Sequence, residues 1–466
     1  MTFHILNTGA TALTAAQRAV EVAAHNAANS TVPGYTRQRV ALAATVAAEG
    51  TPGVPGTGHR GTGVQVISID RLRDVLADLA VRTEASTYGA AAGRAEVLGR
   101  AQTVLGEYGS GLPANLSALW AAFDQLALTP NEPAARQIVV DVAGTFAEGL
   151  REAAVQVEQI RADVVQRARA STTEVNDLTR EIANLNKHIV SARNGGQAPN
   201  DLMDRRDLLL DRLSELAGAA VQYRADGSVD VLSGGALLVQ GPDSFTLTES
   251  VAGGDLVLRL AGRPVAVGGY LGGQIAVLKV DLRDVKDALD RVARDVGEAV
   301  NAVHEEGYVA PGTRGGTFFL GTDDAAGFRV DPALADLRLV AAAGSAAGSL
   351  FDGENALRLA RLRQLKGDDI EALLGAGRGA ETLGERLNLV VSMLGSRTAA
   401  ALAAAETADV AVSSLREQRA SANGVSLDEE MVELVKYQHA YDAAARVVSI
   451  ADAMLDTLIN RMGAGR

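Results

Sequence analysis

LDEEMVELVKYQHAYDAAARVVSIADAMLDTLINRMGAGR occupies residues 427–466. Leu427, Met431, Leu434, Tyr441, Val448, Leu455, Ile459 and Met462 recur there at three- and four-residue steps or their multiples, which places them on one stripe of a helix. Gln438 and Asp452 share the stripe, so the seam is not wholly apolar. Ser426 followed by Glu429 predicts a capping box at the helix start, and Gly463 and Gly465 suit its end. Burying each large stripe residue is worth about 1.5–3 kcal/mol, but only against a partner. The first thirty residues offer one: Leu6, Ala10, Leu13, Ala16, Val20, Ala23, Ala24 and Ala27 repeat the spacing, with small residues where another helix could approach closely. Two matching amphipathic ends read as a coiled-coil pair. Ordinary core helices of one globular domain fit the same periodicity.

Inward from these ends the helical pattern continues. A turn at Ser30–Tyr35 leads to an extended stretch, 36–46, a Gly/Pro loop, 49–63, and a short strand, 64–69. Helices are expected over about 70–107, 113–128 (which carries the single tryptophan, Trp120), 133–194 and 201–216. Sixty helical residues would extend roughly 90 Å, longer than a compact domain needs. From Val221 to Val267 short Val/Leu runs between Gly-rich turns predict a small β unit. Helix returns at 272–306 and 382–423, with an irregular Gly-rich segment at 307–348 between them. The expected fold is mainly α and elongated, with a small all-β insertion at its outer tip. Residues 1–35 and 425–466 would form a terminal assembly domain, 36–220 and 271–424 a helical rod domain, and 221–270 the β domain.

Composition narrows the function. The 466 residues are 47% hydrophobic but only 4% aromatic, a balance that favours closely packed, alanine-rich helices over bulky cores. A net charge of −13 argues against a nucleic-acid binder. The absence of cysteine excludes thiol catalysis, disulfides and thiolate metal sites. No Sec-type leader and no run of eighteen uncharged apolar residues is found, so neither a cleaved signal peptide nor a membrane span is expected.

No catalytic constellation emerges. Gly56–Gly61 matches G-x-G-x-x-G, but a Pro-containing loop precedes it and a strand-like run follows, so a chance glycine-rich loop is the better reading. The six histidines, His4, His25, His59, His188, His304 and His439, are dispersed. The pairs Asp323-Asp324 and Asp368-Asp369 lack the alternation of a calcium loop. Asp428, Glu429 and Glu430 point in different directions on a helix, and favourable charge at its N-terminus is their expected role.

Several stretches together resemble a known family. Residues 24–38, AHNAANSTVPGYTRQ, are similar to the N-terminal signature of flagellar rod, hook and hook-associated proteins, carried here by Asn26, Asn29, Pro33, Gly34, Tyr35 and Arg37. The Gly-Tyr-Thr-Arg-Gln form is most like the hook-associated members. Residues 133–137, 181–186, 200–207 and 426–430 resemble blocks of those members in the same order. His25 departs from the signature, which would have a second Asn there. The segment between Glu306 and Leu350 is too short for the large outer domain some members carry.

The resemblance implies a structural subunit, not an enzyme, with no catalytic, cofactor-binding or metal-binding residues. Such subunits ring the junction between hook and filament in the extracellular flagellum. They leave the cell through the flagellar type III apparatus without a cleaved leader. The implied partners are the hook protein, a filament-side hook-associated protein of the FlgL type, further copies of the chain, and an export chaperone of the FlgN type on the C-terminal helix. Leu6, Leu13, Val20, Ala24, Met431, Leu434, Tyr441, Val448, Leu455 and Ile459 would be assembly contacts. A rod or hook subunit, the filament-side junction protein itself, a secreted wall hydrolase sharing only the export termini, and a cytoplasmic coiled-coil scaffold are the rival readings.

Overall fold

The computed structural model describes residues 2–46, 61–109, 111–252, 255–347, 349, 351–375, 378 and 380–462. Most of the G-x-G-x-x-G loop, residues 56–60 with His59 among them, and the expected helix stop at Gly463 and Gly465 lie outside the described residues. The chain is mainly helical with small sheets, and it divides into two compact units. Residues 1–86, 175–246 and 409–466 form the first, and 87–174 with 247–408 the second.

In the first unit α1 (Thr2–Asn29) lies along α11 (Leu427–Met462) and also contacts the hairpin of β1 (Gln38–Ala44) and β2 (Val64–Arg71). Small residues permit the approach: a Cβ on Gly9 would stand 2.9 Å from Val448 Cγ2. Gly9, Ala16 and Ala23 are buried at seven-residue steps on α1, as are Ala444 and Ala451 on α11. β1 and β2 pair antiparallel from Gln38↔Arg71 to Ala44↔Val64, with a bulge between Ala41 and Leu42. The beginning of α2 (Val75–Gly109), the end of α4 (Pro133–Asn194), α5 (Asn200–Ala217) and the end of α10 (Leu383–Asn423) belong to this unit. So does a four-stranded antiparallel sheet, β3 (Ala219–Tyr223), β4 (Val229–Ser233), β5 (Ala236–Gln240) and β6 (Asp243–Ser244). Val229, Val231 and Ser233 of β4 are buried, the alternation a one-sided sheet requires, while a register shift against β5 leaves the consecutive Leu238 and Val239 both buried.

The second unit holds the remainder of those long helices, α3 (Leu112–Leu128), and the three-stranded sheet β7 (Leu247–Ala252), β8 (Asp255–Leu260) and β9 (Arg263–Val265). Then come α6 (Gly269–Ala276), a π-helical stretch (Val277–Asp281) and α7 (Leu282–Glu306), where sequence predicts one unbroken helix. The strands expected over 221–267 therefore form two separate sheets, one in each unit. The described part of the 307–348 segment, residues 307–347, unassignable from its glycines, is built from antiparallel two-residue to three-residue strands and 3₁₀ turns whose N-caps are Asp324, Asp331 and Asp336. Asp324 accepts from Ala326 N at 2.7 Å, so that member of the Asp323-Asp324 pair serves as a cap. These turns gather Phe318, Phe319 and Phe328 with Phe123 and Phe146 into an aromatic core. Within 383–457 one helical stretch is long and apolar enough to cross a membrane by length and composition alone, which the sequence reading did not anticipate.

Candidate assembly site at the N-terminal turn

The chain leaves α1 through a tight turn, in which Val32 N donates to Asn29 O at 3.0 Å and Tyr35 N to Val32 O at 3.2 Å. Gly34 sits at φ +80°, a conformation in which a Cβ is strained, and that Cβ would lie 3.2 Å from Leu208 Cδ1. The turn delivers Tyr35, Thr36, Arg37 and Gln38 back over the end of α1.

Asn26 holds this return. Its Nδ2 donates to Gln38 O at 2.8 Å and to Glu430 Oε2 at 2.9 Å. Its Oδ1 accepts from Gln38 N at 3.0 Å and from the Tyr35 hydroxyl at 2.8 Å. A primary amide has two N–H donors and two lone pairs, and here all four are used in a side chain that is 1% exposed. Burial, then the charges of Asp201, Asp204 and Glu430, raise the Tyr35 hydroxyl well above its ordinary value, so it stays protonated as a donor. Asn29 donates to His25 O at 2.9 Å, and the His25 ring meets Tyr35 edge-on at 5.6 Å.

Arg37 ties the same turn to α11. Its Nε donates to Glu430 Oε1 at 2.6 Å and its Nη1 to Glu429 Oε2 at 2.8 Å. Glu429 and Glu430 thus have partners nearly four hundred residues away, beyond the helix-end charge role expected for them. The capping box is correspondingly half made: Glu429 N approaches Ser426 Oγ at 3.5 Å, while the Glu429 carboxylate turns to Arg37.

α5 supplies the third wall. Asp204 accepts from Thr36 N at 3.0 Å, and Arg71 Nη1 bridges Asp204 at 2.7 Å and Asp207 at 2.8 Å. Arg73 pairs with Asp78 and Asp207, Arg82 with Asp211 at 2.7 Å, and Arg419 with Asp211 at 2.7 Å. Asn200 donates to Gln38 Oε1 at 3.0 Å and to Ile69 O at 2.9 Å. Such a buried ion-pair mesh contributes little net stability but fixes geometry, because each broken pair strands a charge. The spacing Asn200, Asp204, Asp207, Asp211 is a visible polar stripe on one helix face, the signal by which sequence could have found this wall.

The expected assembly residues distribute unevenly. Leu6, Leu13, Val20, Leu434, Val448 and Leu455 are half-buried, whereas Ala24, Met431 and Tyr441 are exposed. Ala23 is the buried neighbour of Ala24. The side chain of Ile459 lies outside those described. Val432 (67% exposed), Ile450 and Met454 add to the apolar surface of α11. Among the described residues no group of three or more His, Asp or Glu is placed to hold a metal ion.

Comparison with known proteins agrees with this end-to-end construction. Over 513 aligned residues the chain is 30% identical to the flagellar hook-associated protein 1 of Bacillus subtilis strain 168, covering 100% of this chain and 99% of the relative. The chain belongs to the flagellar hook-associated protein 1 family. A member from Salmonella typhimurium strain LT2 is 25% identical over 98% of this chain and 99% of its own length. The helical domain of flagellar hook-associated protein FlgK matches residues 98–319, the flagellar basal body rod protein 6–36, and the C-terminal segment of the rod FlgEFG proteins 417–462. The fold is similar to that described as the flagellar hook junction protein FlgK from Burkholderia pseudomallei, with a TM-score of 0.65, 17% identity, and 74% of this chain and 99% of that one covered. Membership places the chain among structural proteins of the bacterial flagellum that act in motility.

Proposed function

We infer that the chain is a structural subunit of the hook–filament junction, joining hook protein on one side to a filament-side hook-associated protein of the FlgL type on the other. The observation that carries this reading is full-length relatedness to hook-associated protein 1. The rod-type matches cover only the two termini, which suits an axial subunit and does not by itself favour a rod protein.

Subunits polymerise through α1 and α11, paired as a coiled coil, with residues 1–35 and 425–466 as the assembly domain and 36–220 with 271–424 as the surrounding helical domain. The apolar residues left exposed on α11, among them Met431, Val432, Ile450 and Met454, support this, since a neighbouring copy in a ring would cover them. Coverage contributes about 25 cal/mol per Å² of apolar surface. Export proceeds through the type III channel to the extracellular flagellum, a FlgN-type chaperone shielding α11 until then.

Deleting the gene tests the reading. Hooks without filaments, with flagellin spilled into the medium, are expected, and normal filaments would overturn it. Leu434→Asp with Leu455→Asp should reproduce the phenotype while the protein is still secreted.

A further inference from the structure

Within the first unit, the loop before α5, strand β2 and the β3–β4 turn enclose a cleft of about 600 Å³. Arg71, Arg73, Arg193, Arg206 and Arg224 line it, against the single carboxylate of Asp70. Three of these arginines are balanced by carboxylates: Arg71 by Asp204 and Asp207, Arg73 by Asp78 and Asp207, and Arg224 by Asp230 at 3.1 Å.

The other two form no close ion pair among the described residues, although the Asp226 carboxylate, held below its ordinary value chiefly by Ser228, also feels the charge of Arg193. Arg206 is 0% exposed, yet its contacts are neutral: Nη1 donates to Asn186 Oδ1 at 3.1 Å and to Gly227 O at 2.7 Å. Its Nε and Nη2 meet no acceptor. Arg193 is exposed and donates from Nη1 to Ala225 O at 3.4 Å. Asp226, on the neighbouring turn, accepts from Ser228 N and Oγ through Oδ1 alone. A buried cation without a counter-charge is costly, and the strain is visible in Arg206, whose pKa is pushed down to about 10 by burial and by Arg71, Arg73 and Arg82. The opening of α5 also lines the cleft, through Ala198, Pro199 and Asn200, and it has no side-chain cap, leaving the positive end of an eighteen-residue helix facing the same region.

We propose that this cleft is an oxyanion site, which takes an inorganic phosphate- or sulfate-class dianion between Arg193, Arg206 and the start of α5. The anion supplies the acceptors that the guanidinium hydrogens lack and neutralises the excess of cations. Arginine suits the task because its planar donor fork matches a tetrahedral oxyanion.

The test uses the full chain and inorganic phosphate at constant ionic strength. The unfolding temperature should rise saturably with phosphate and not with chloride, because a ligand that binds only the folded state stabilises it. Arg193→Gln should raise the half-saturating concentration by about tenfold, the loss of one charged hydrogen bond. Arg206→Met should abolish the phosphate response, and Arg416→Gln, outside the cleft, should leave it intact. The absence of a saturable phosphate-specific rise overturns the site, as does an unchanged half-saturation in Arg193→Gln. If Arg206→Met fails to fold, Arg193→Gln decides alone.

Discussion

Asn26 Nδ2 and Glu430 Oε2 lie 2.9 Å apart although 404 positions separate them in the chain. The contact belongs to a closed set, since the other amide hydrogen and both lone pairs of Asn26 are taken by Gln38 and Tyr35.

Asn26→Asp removes both donors and sets a second carboxylate against Glu430. Stability should fall by about 3 kcal/mol, the sum of lost buried hydrogen bonds and an unpaired buried charge. Adding Glu430→Gln should restore about 1 kcal/mol or more of that loss, because contacting residues couple. Chemical denaturation of the two single variants and the double variant gives the cycle, and additive losses would refute the charge argument.

Gly34→Ala tests the turn. The positive φ and the nearby Leu208 side chain should together cost about 1–2 kcal/mol. Gly34→Asn should cost less, as Asn tolerates the left-handed region. Thermal unfolding of the pair is the measurement, and equal losses would mean that crowding and not φ dominates.

His304 makes a pH prediction. It is 0% exposed, its Nδ1 lies 2.6 Å from Gly316 O, and its Nε2 accepts from Ala341 N at 2.9 Å, which fits only the neutral ring with the proton on Nδ1. Burial drives its pKa below the ordinary 6.5. The folded value is the depressed one, so this stability is present above about pH 6.5 and is lost below it, by up to about 1.4 kcal/mol per pH unit. NMR titration should show the His304 ring taking up its proton at lower pH than an ordinary imidazole, and protonation at or above the ordinary value would contradict the assignment.

Two glycine substitutions should act with opposite signs. In Gly273→Ala the new Cβ would meet Ala90 O at 2.2 Å, a backbone atom that cannot swing aside, and about 3 kcal/mol should be lost. Gly395 lies within α10 with nothing inside 4 Å of such a Cβ, so Gly395→Ala should gain about 0.5–1 kcal/mol. Unfolding temperatures that move in the same direction would count against both readings.

The helices were legible because their signals are local. The 133–194 pattern runs to the same residues as α4, and the turn at Pro33-Gly34 is where the positive φ occurs. What sequence could not show were the partners of that turn. Glu430 reads as one more acid in a helix start, and only the fold brings it to Asn26 and Arg37. Likewise Thr382 and Glu385 make a complete reciprocal cap that went unread, while the one predicted at Ser426 yields its Glu to a distant arginine. The capping preference is worth about 1 kcal/mol, and at this exposed position the charge-assisted bond from Arg37 competes with it on equal terms. The division of the β region into two sheets was equally hidden, since turn residues mark where strands end and not which strands pair.

The Asn26–Arg37–Glu430 junction also dictates an order of events. A ribosome presents Asn26 404 residues before Glu430, so nothing can complete the amide's hydrogen bonds until that whole stretch exists. Loop closure over four hundred residues is slow and entropically unfavourable, and short-range helices will form long before it. The N-terminal turn is thus a late-closing clasp: a product stalled before Glu430 keeps the turn after α1 unfastened, and the arrival of that one carboxylate is written into the chemistry of a buried amide.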